Sequence, residues 1–170
     1  MLKRGRPKKI SRRAGFTLVE LMVVIAILGI LGAVALPMIT KTLPNYRLRA
    51  EARELAINFK KARLEAVKRN RNVVIEFPDP LPASSYRIFV DMDNDNIFDP
   101  DVDLELLNWT LRPQTQLVST NFANHQARYT PRGTPDGNID NREIVLRTDD
   151  GSRGYRLTLS VAGNINLNNE

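Results

Sequence analysis

The feature that most constrains this chain is an uncharged apolar run, residues 21–39, with one carboxylate, Glu20, at its leading edge. At about 1.5 Å of rise per residue, 19 helical residues span roughly 28 Å, close to the hydrocarbon thickness of a bilayer. A carboxylate at the centre of such a span costs roughly 2.5–3.5 kcal/mol on insertion scales. Any fold for this chain must therefore house one helix that water does not favour, and something must compensate Glu20.

Charge is distributed in blocks. The formal net charge is +6, which taken alone would suggest nucleic acid or an anionic membrane as a partner. Seven of the positive side chains (Lys3, Arg4, Arg6, Lys8, Lys9, Arg12 and Arg13) lie in residues 1–15, with no acid among them, and everything after Gly15 nets −1. Residues 41–71 hold ten Lys/Arg against Glu51, Glu54 and Glu65, whereas residues 72–170 hold eight Arg against fifteen acids. The basicity belongs to a leader and a helix, and the remaining head is acidic.

A chain of 170 residues allows one medium domain beside the apolar segment. It has no cysteine, which excludes disulfides, zinc–thiolate sites and thiol nucleophiles. His125 is the only histidine, and no G-x-S-x-G elbow accompanies it. It reads as a surface or loop residue, and no enzymatic constellation is expected.

A basic segment before an apolar run fits a secretory signal, a plain anchor or a prepilin leader. The positive residues place the N-terminus in the cytoplasm and the head outside. A secretory signal would be cut after its apolar core, with small residues 32–35 as the site, but the run exceeds the usual 7–15 residues and would enclose Glu20.

Gly15-Phe16-Thr17-Leu18-Val19-Glu20, after a short basic leader and before the apolar run, closely resembles the class III signal of type IV pilins and type II secretion pseudopilins. The resemblance implies that a prepilin peptidase cleaves between Gly15 and Phe16 and methylates the new amine of Phe16. Glu20 then lies one helical turn from that amine, about 6 Å along the axis. In the family the larger role of this glutamate is between subunits, pairing with the amine of a neighbour in the fibre.

Beyond the run, Leu48, Ala52, Leu55, Phe59, Ala62 and Ala66 recur at alternating spacings of 4 and 3, a helical apolar stripe. Pro37 and Pro44 each remove a backbone donor and clash with the preceding turn, which predicts two kinks or a local break. After Arg71 the pattern changes to short β-branched and aromatic runs at 73–77, 86–90, 104–111, 116–119, 143–147 and 155–161, separated by Pro-, Gly- and Asp-rich turns. The expected fold is α+β and pilin-like: a long N-terminal transmembrane helix continuing into an amphipathic helix packed on an antiparallel β-sheet head. The expected divisions are a leader 1–15, an assembly helix 16–40, an amphipathic helix 41–71 and a head 72–170. The junction 62–77 and the ending from Arg128 to Ile165 resemble the GspH/FimT branch, the minor pseudopilins.

Residues 91–105, "DMDNDNIFDPDVDLE", carry seven carboxylates and no Lys or Arg. The D-x-D-x-D-N start resembles the first half of a calcium loop, with Asp91, Asp93, Asp95 and Asp99 as candidate ligands for calcium. It departs from the EF-hand at Asn96, where Gly makes the sharp turn, and at Val102, where the bidentate Glu belongs. The competing reading is a solvated acidic hairpin tip. The same carboxylates lack the aromatic platform of a glycosidase, since Trp109 is the only tryptophan and reads as core.

The expectation is a structural subunit of a type II secretion pseudopilus or type IV pilus, needing no cofactor. Its partners are prepilin peptidase, other pilins and the inner membrane. An anchored calcium-binding module is one alternative. A DNA-capturing minor pilin of the FimT type is another, but it would carry arginines in its tail, which here reads Gly163-Asn164-Ile165-Asn166. Nucleic acid is not expected as a partner.

Overall fold

Helix formation starts where the sequence supplies a cap and stops where it supplies a left-handed residue. In the computed structural model, which describes residues 15–136 and 142–170, α1 runs over Leu18–Arg69. It ends at Asn70, whose φ of 53° is the left-handed conformation that Asn tolerates. The Arg71 N–H donates to the Ala66 carbonyl and the Asn70 N–H to that of Val67, a Schellman closure of the last turn. Of the two outcomes that Pro37 and Pro44 allow, the local break is corrected: α1 is one uninterrupted helix through both positions. Each proline forfeits a single hydrogen bond and costs roughly 3 kcal/mol, and the ladder on either side carries the helix through.

The strands are β1 (Asn72–Glu76), β2 (Ser85–Asp91), β3 (Leu104–Thr110), β4 (Thr115–Thr120), β5 (Gln126–Tyr129), β6 (Arg142–Thr148), β7 (Gly154–Leu159) and β8 (Ile165–Asn169). A 3₁₀ turn, Ala123–His125, precedes β5. The single expected sheet is in fact two antiparallel sheets of four, ordered β3-β2-β1-β5 and β4-β6-β7-β8. Ala83, in the loop that leads into β2, bridges to Leu117 of β4. Two of these strands, β5 and β8, had no counterpart in the sequence reading.

The chain divides into two compact units, Met1–Lys41 and Thr42–Glu170. In the second unit all six stripe residues of α1, Leu48 through Ala66, are at most 1% exposed. They pack into one core with Val73 and Ile75 of β1, Ile88 of β2, Tyr129 of β5 and Ile144, Leu146 and Leu157 of the other sheet. Phe59 is the hinge of this core: its ring lies 6.3–6.4 Å from those of Phe77, Phe122 and Tyr129. The helix therefore covers inward faces of both sheets at once.

Strand β1 is buried on both faces, as the run Val73-Val74-Ile75 demands. Val73 and Ile75 face the helix-containing core. Val74 pairs in register with Phe89 on β2, and both are fully buried on the opposite face. Phe98, from the acidic segment, reaches the ring of Phe89 at 5.3 Å, with the Arg87 guanidinium 4.2 Å over the Phe98 ring. The acidic segment thus folds back onto the sheet through an aromatic anchor.

Candidate functional site

Two places concentrate functional chemistry: the start of α1 and the segment after β2. Gly15 and Phe16 precede the helix without regular structure, with open space around Gly15 and Phe16 88% exposed. Thr17 is the cap. Its Oγ1 accepts the Glu20 N–H at 3.2 Å, while Glu20 Oε2 accepts the Thr17 N–H at 3.4 Å. This reciprocal pair is a capping box, and its signature T-x-x-E stands in the sequence inside the leader motif. Glu20 therefore has a compensating partner within its own chain: the orphan donors and positive dipole end of the helix that it starts.

Behind the cap, twelve large apolar residues between Phe16 and Leu31 stand 46–88% exposed, on every side of the helix. A helix apolar all round belongs in lipid or in a protein core. At roughly 1.5–3 kcal/mol for each side chain removed from water, the gain amounts to tens of kcal/mol. Among the described residues no helix is long and apolar enough to cross a membrane. The uncharged run continues in sequence to residue 39, through positions 34 and 36–39, whose side chains lie outside the description. Pro37 is one of these, so only its place on the helical backbone is established.

The second place is built on Asp91, the last residue of β2, which is 0% exposed. Its Oδ1 accepts the Asn94 N–H at 2.7 Å, and its Oδ2 has no hydrogen-bond partner among the described residues. One carboxylate oxygen from each of Asp91, Asp93 and Asp95 lies within 4.8 Å of the others. Burial pushes the Asp91 carboxyl above its ordinary value, with Asp103 and Asp93 adding repulsion and backbone N–H groups of Asn94 and Asn96 opposing.

Asp99, the fourth candidate ligand, is not brought into this group. It opens a helical turn instead: Asp99 Oδ1 accepts the Asp101 N–H, and the Asp99 carbonyl accepts the N–H groups of Val102 and Asp103. Asp103 closes the loop base with both oxygens, taking the Met92 N–H at 2.9 Å and the Asp99 N–H at 3.0 Å. With Asp91 and Asp103 buried and Phe98 seated on Phe89, the segment is more than a solvated hairpin tip. Arg71 to the Met92 carbonyl, Asn72 to Asn94 and Gln126 to the Asn96 carbonyl hold it further. Asn96 takes a φ of 66°, supplying the left-handed turn for which its amide, like Gly, is suited.

Sequence reasoning missed one buried charge. Glu51 falls on the apolar stripe beside Leu48, Ala52 and Leu55, and is 0% exposed. It accepts Trp109 Nε1–H at 2.9 Å and the Arg112 N–H at 3.3 Å, with Arg112 Nε 3.4 Å away. Asn58, on the same face, donates to Tyr86 Oη at 2.7 Å. These contacts tie α1 to β3 and β2 and serve packing. Trp109, expected in the core, is partly buried against it. His125 sits in the 3₁₀ turn, half-buried, 3.7 Å from Asp79.

Similarity to known proteins covers both the start of the chain and the head. Residues 51–163 match the family model for type II transport protein GspH, and residues 10–36 match the prokaryotic N-terminal methylation motif. The chain is 35% identical over 162 residues to pilin-like protein PilA1 of Thermus thermophilus, covering 91% of this chain and 98% of that one. In structure it resembles the type IV minor pilin FimU of Pseudomonas aeruginosa, with a TM-score of 0.57 at 22% identity over 75% of this chain and 91% of that one. It also resembles the minor pseudopilin EpsH of the Vibrio cholerae type 2 secretion system, with a TM-score of 0.55 at 10% identity over 72% and 97%. Those two likenesses establish the fold. A family model spanning the head, a methylation motif spanning the start of α1 and a full-length pilin-like relative together place this chain in the type II transport protein GspH family of minor pilin-like proteins.

Proposed function

We propose that the chain is a minor subunit of a type II secretion pseudopilus or a type IV pilus, anchored in the inner membrane before assembly. Its leader stays cytoplasmic, its head lies in the periplasm, and residues 16–40 form the span. Prepilin peptidase cuts between Gly15 and Phe16 and methylates the Phe16 amine. The fibre then takes over the role of lipid, burying the apolar surface of α1 among neighbouring helices.

The observation that carries this reading is the all-round exposure of large apolar side chains directly behind a capped, motif-bearing helix start. A water-soluble chain would gain nothing from that surface. The accessible Gly15–Phe16 junction supports processing at that bond, since a peptidase needs an extended segment clear of the helix.

In assembly, Glu20 exchanges its own-chain partner for the methylated amine of a neighbour's Phe16. The bond it gives up is exposed and 3.4 Å long, worth at most about 1 kcal/mol net. Among apolar helices each of the two charges would be costly alone, and the pairing removes that cost from both. The test separates capping from pairing. Glu20→Gln keeps the capping box, which accepts Gln, and removes the charge. Cells carrying it are expected to process and insert the chain normally while sheared fibres lack it. Incorporation of Glu20→Gln at the wild-type level would reduce Glu20 to a helix cap and sink the pairing role.

A further inference from the structure

Asp91, Asp93 and Asp95 bring three carboxylates to one spot, within 4.8 Å of one another. Among the described residues none of the three is ion-paired. An acidic cluster alone would be a solvated surface. Here one member is 0% exposed and holds a carboxylate oxygen, Asp91 Oδ2, without any hydrogen-bond partner among the described residues. A buried carboxylate oxygen with nothing to accept from is costly, and beside two further carboxylates the cost rises through like-charge repulsion. A cation reverses both terms.

We propose that Asp91, Asp93 and Asp95 form a binding site for a hard divalent cation of calcium's class. The donor set is all oxygen, which excludes the preference of softer metals for imidazole and thiolate. Carboxylate oxygens within 4.8 Å of one another can share one ion at the 2.3–2.6 Å typical of calcium. Backbone carbonyls and water complete the six to eight ligands that calcium takes, whereas magnesium demands a tighter octahedron.

The segment is also held in place before any ion arrives. Phe98 is seated on Phe89, and Asn94, Asn96 and Met92 are tied to β1, β5 and the helix end. Of the segment's other acids, Asp103 uses both oxygens on backbone N–H groups, and Asp99 lies outside the group of three oxygens. The site is therefore the three residues and no wider. Three carboxylates without a bidentate Glu set the affinity at the weak end, roughly 10⁻⁴–10⁻³ M.

The experiment is calcium titration of the detergent-solubilised full chain, followed by calorimetry and by thermal unfolding, against magnesium at matched ionic strength. Wild type is expected to bind calcium saturably with one site. Its unfolding midpoint is expected to rise by about 3–5 °C at tenfold excess over the dissociation constant. Asp93→Asn/Asp95→Asn, both exposed and so compatible with folding, is expected to lose the response. Asp99→Asn/Asp101→Asn, equally acidic but outside the group, is expected to keep it. The proposal is overturned if calcium does no more than magnesium. Retention of the response by the Asp93/Asp95 variant, or its loss from the Asp99/Asp101 variant, overturns it equally.

Discussion

Glu51 shows what a single residue can do to the reading of a helix face. Its position on the stripe is correct for burial, but its charge argued for solvent, and only the placement of Trp109 and the Arg112 N–H across from it makes the burial tolerable. That partnership joins residues 58 and 61 positions apart, so no local pattern could announce it. Glu51→Ala leaves the Trp109 Nε1–H and the Arg112 N–H without their acceptor and is expected to cost about 3 kcal/mol, read from denaturant midpoints of the full chain. Gly133 is a second constrained position. Its φ is 73°, and an added Cβ would sit 2.9 Å from Val67 Cγ2 on α1. Gly133→Ala is expected to destabilise by roughly 1–2 kcal/mol by the same measurement. Asp150 gives a pH signature. The Thr148 hydroxyl donates to it at 2.5 Å and the Ser152 N–H at 3.0 Å, holding its carboxyl down to about 2. A folded value below the unfolded one, about 3.9, means stability that is present above the unfolded value and lost as pH falls toward 2. Asp150→Asn is expected to flatten that part of the acid-unfolding profile.

At the scale of elements, period and turn chemistry carried most of the fold. The stripe on α1 was legible to the residue because alternating 4 and 3 spacing has one physical meaning, a helix with one dry side. Six strands were legible because β-branched and aromatic residues cluster between turn formers. The two that were not have reasons of their own. Strand β5 is only Gln126–Tyr129, too short to show alternation, and its pairing with β1 supplies what its composition does not. Strand β8 is rich in Asn, a residue depleted in strands, and exists because β7 offers it an edge in register from Leu159 to Tyr155. The prolines misled toward a break because the sequence shows what each removes and not what the neighbouring turns retain. The helix is also the element on which the head depends. Phe59→Ala empties the point where four aromatic rings converge and is expected to cost about 3–5 kcal/mol. Denaturant unfolding monitored by Trp109 fluorescence measures it.

For the whole molecule, the sequence runs in blocks: a basic leader, an uncharged apolar run, a basic helix and an acidic head. The family assignment fits that order, since residues 10–36, with the apolar helix start, and residues 51–163, with the head, are matched separately. The start of α1 was legible as a leader motif, while its capping box was present in the same six letters and emerged only when Thr17 and Glu20 were seen to bond each other. The acidic segment was legible as chemistry and not as shape, because the Phe98–Phe89 contact that folds it back depends on the sheet. The central claim is that this apolar helix is kept, not cut away, and that the mature chain begins at a processed Phe16. Intact-mass analysis of the chain extracted from membranes of cells with and without prepilin peptidase tests this most directly. The expected result is loss of residues 1–15 and a methylated Phe16 only where the peptidase is present. A chain that retains its leader in both, or one cut after Ala35, contradicts the account.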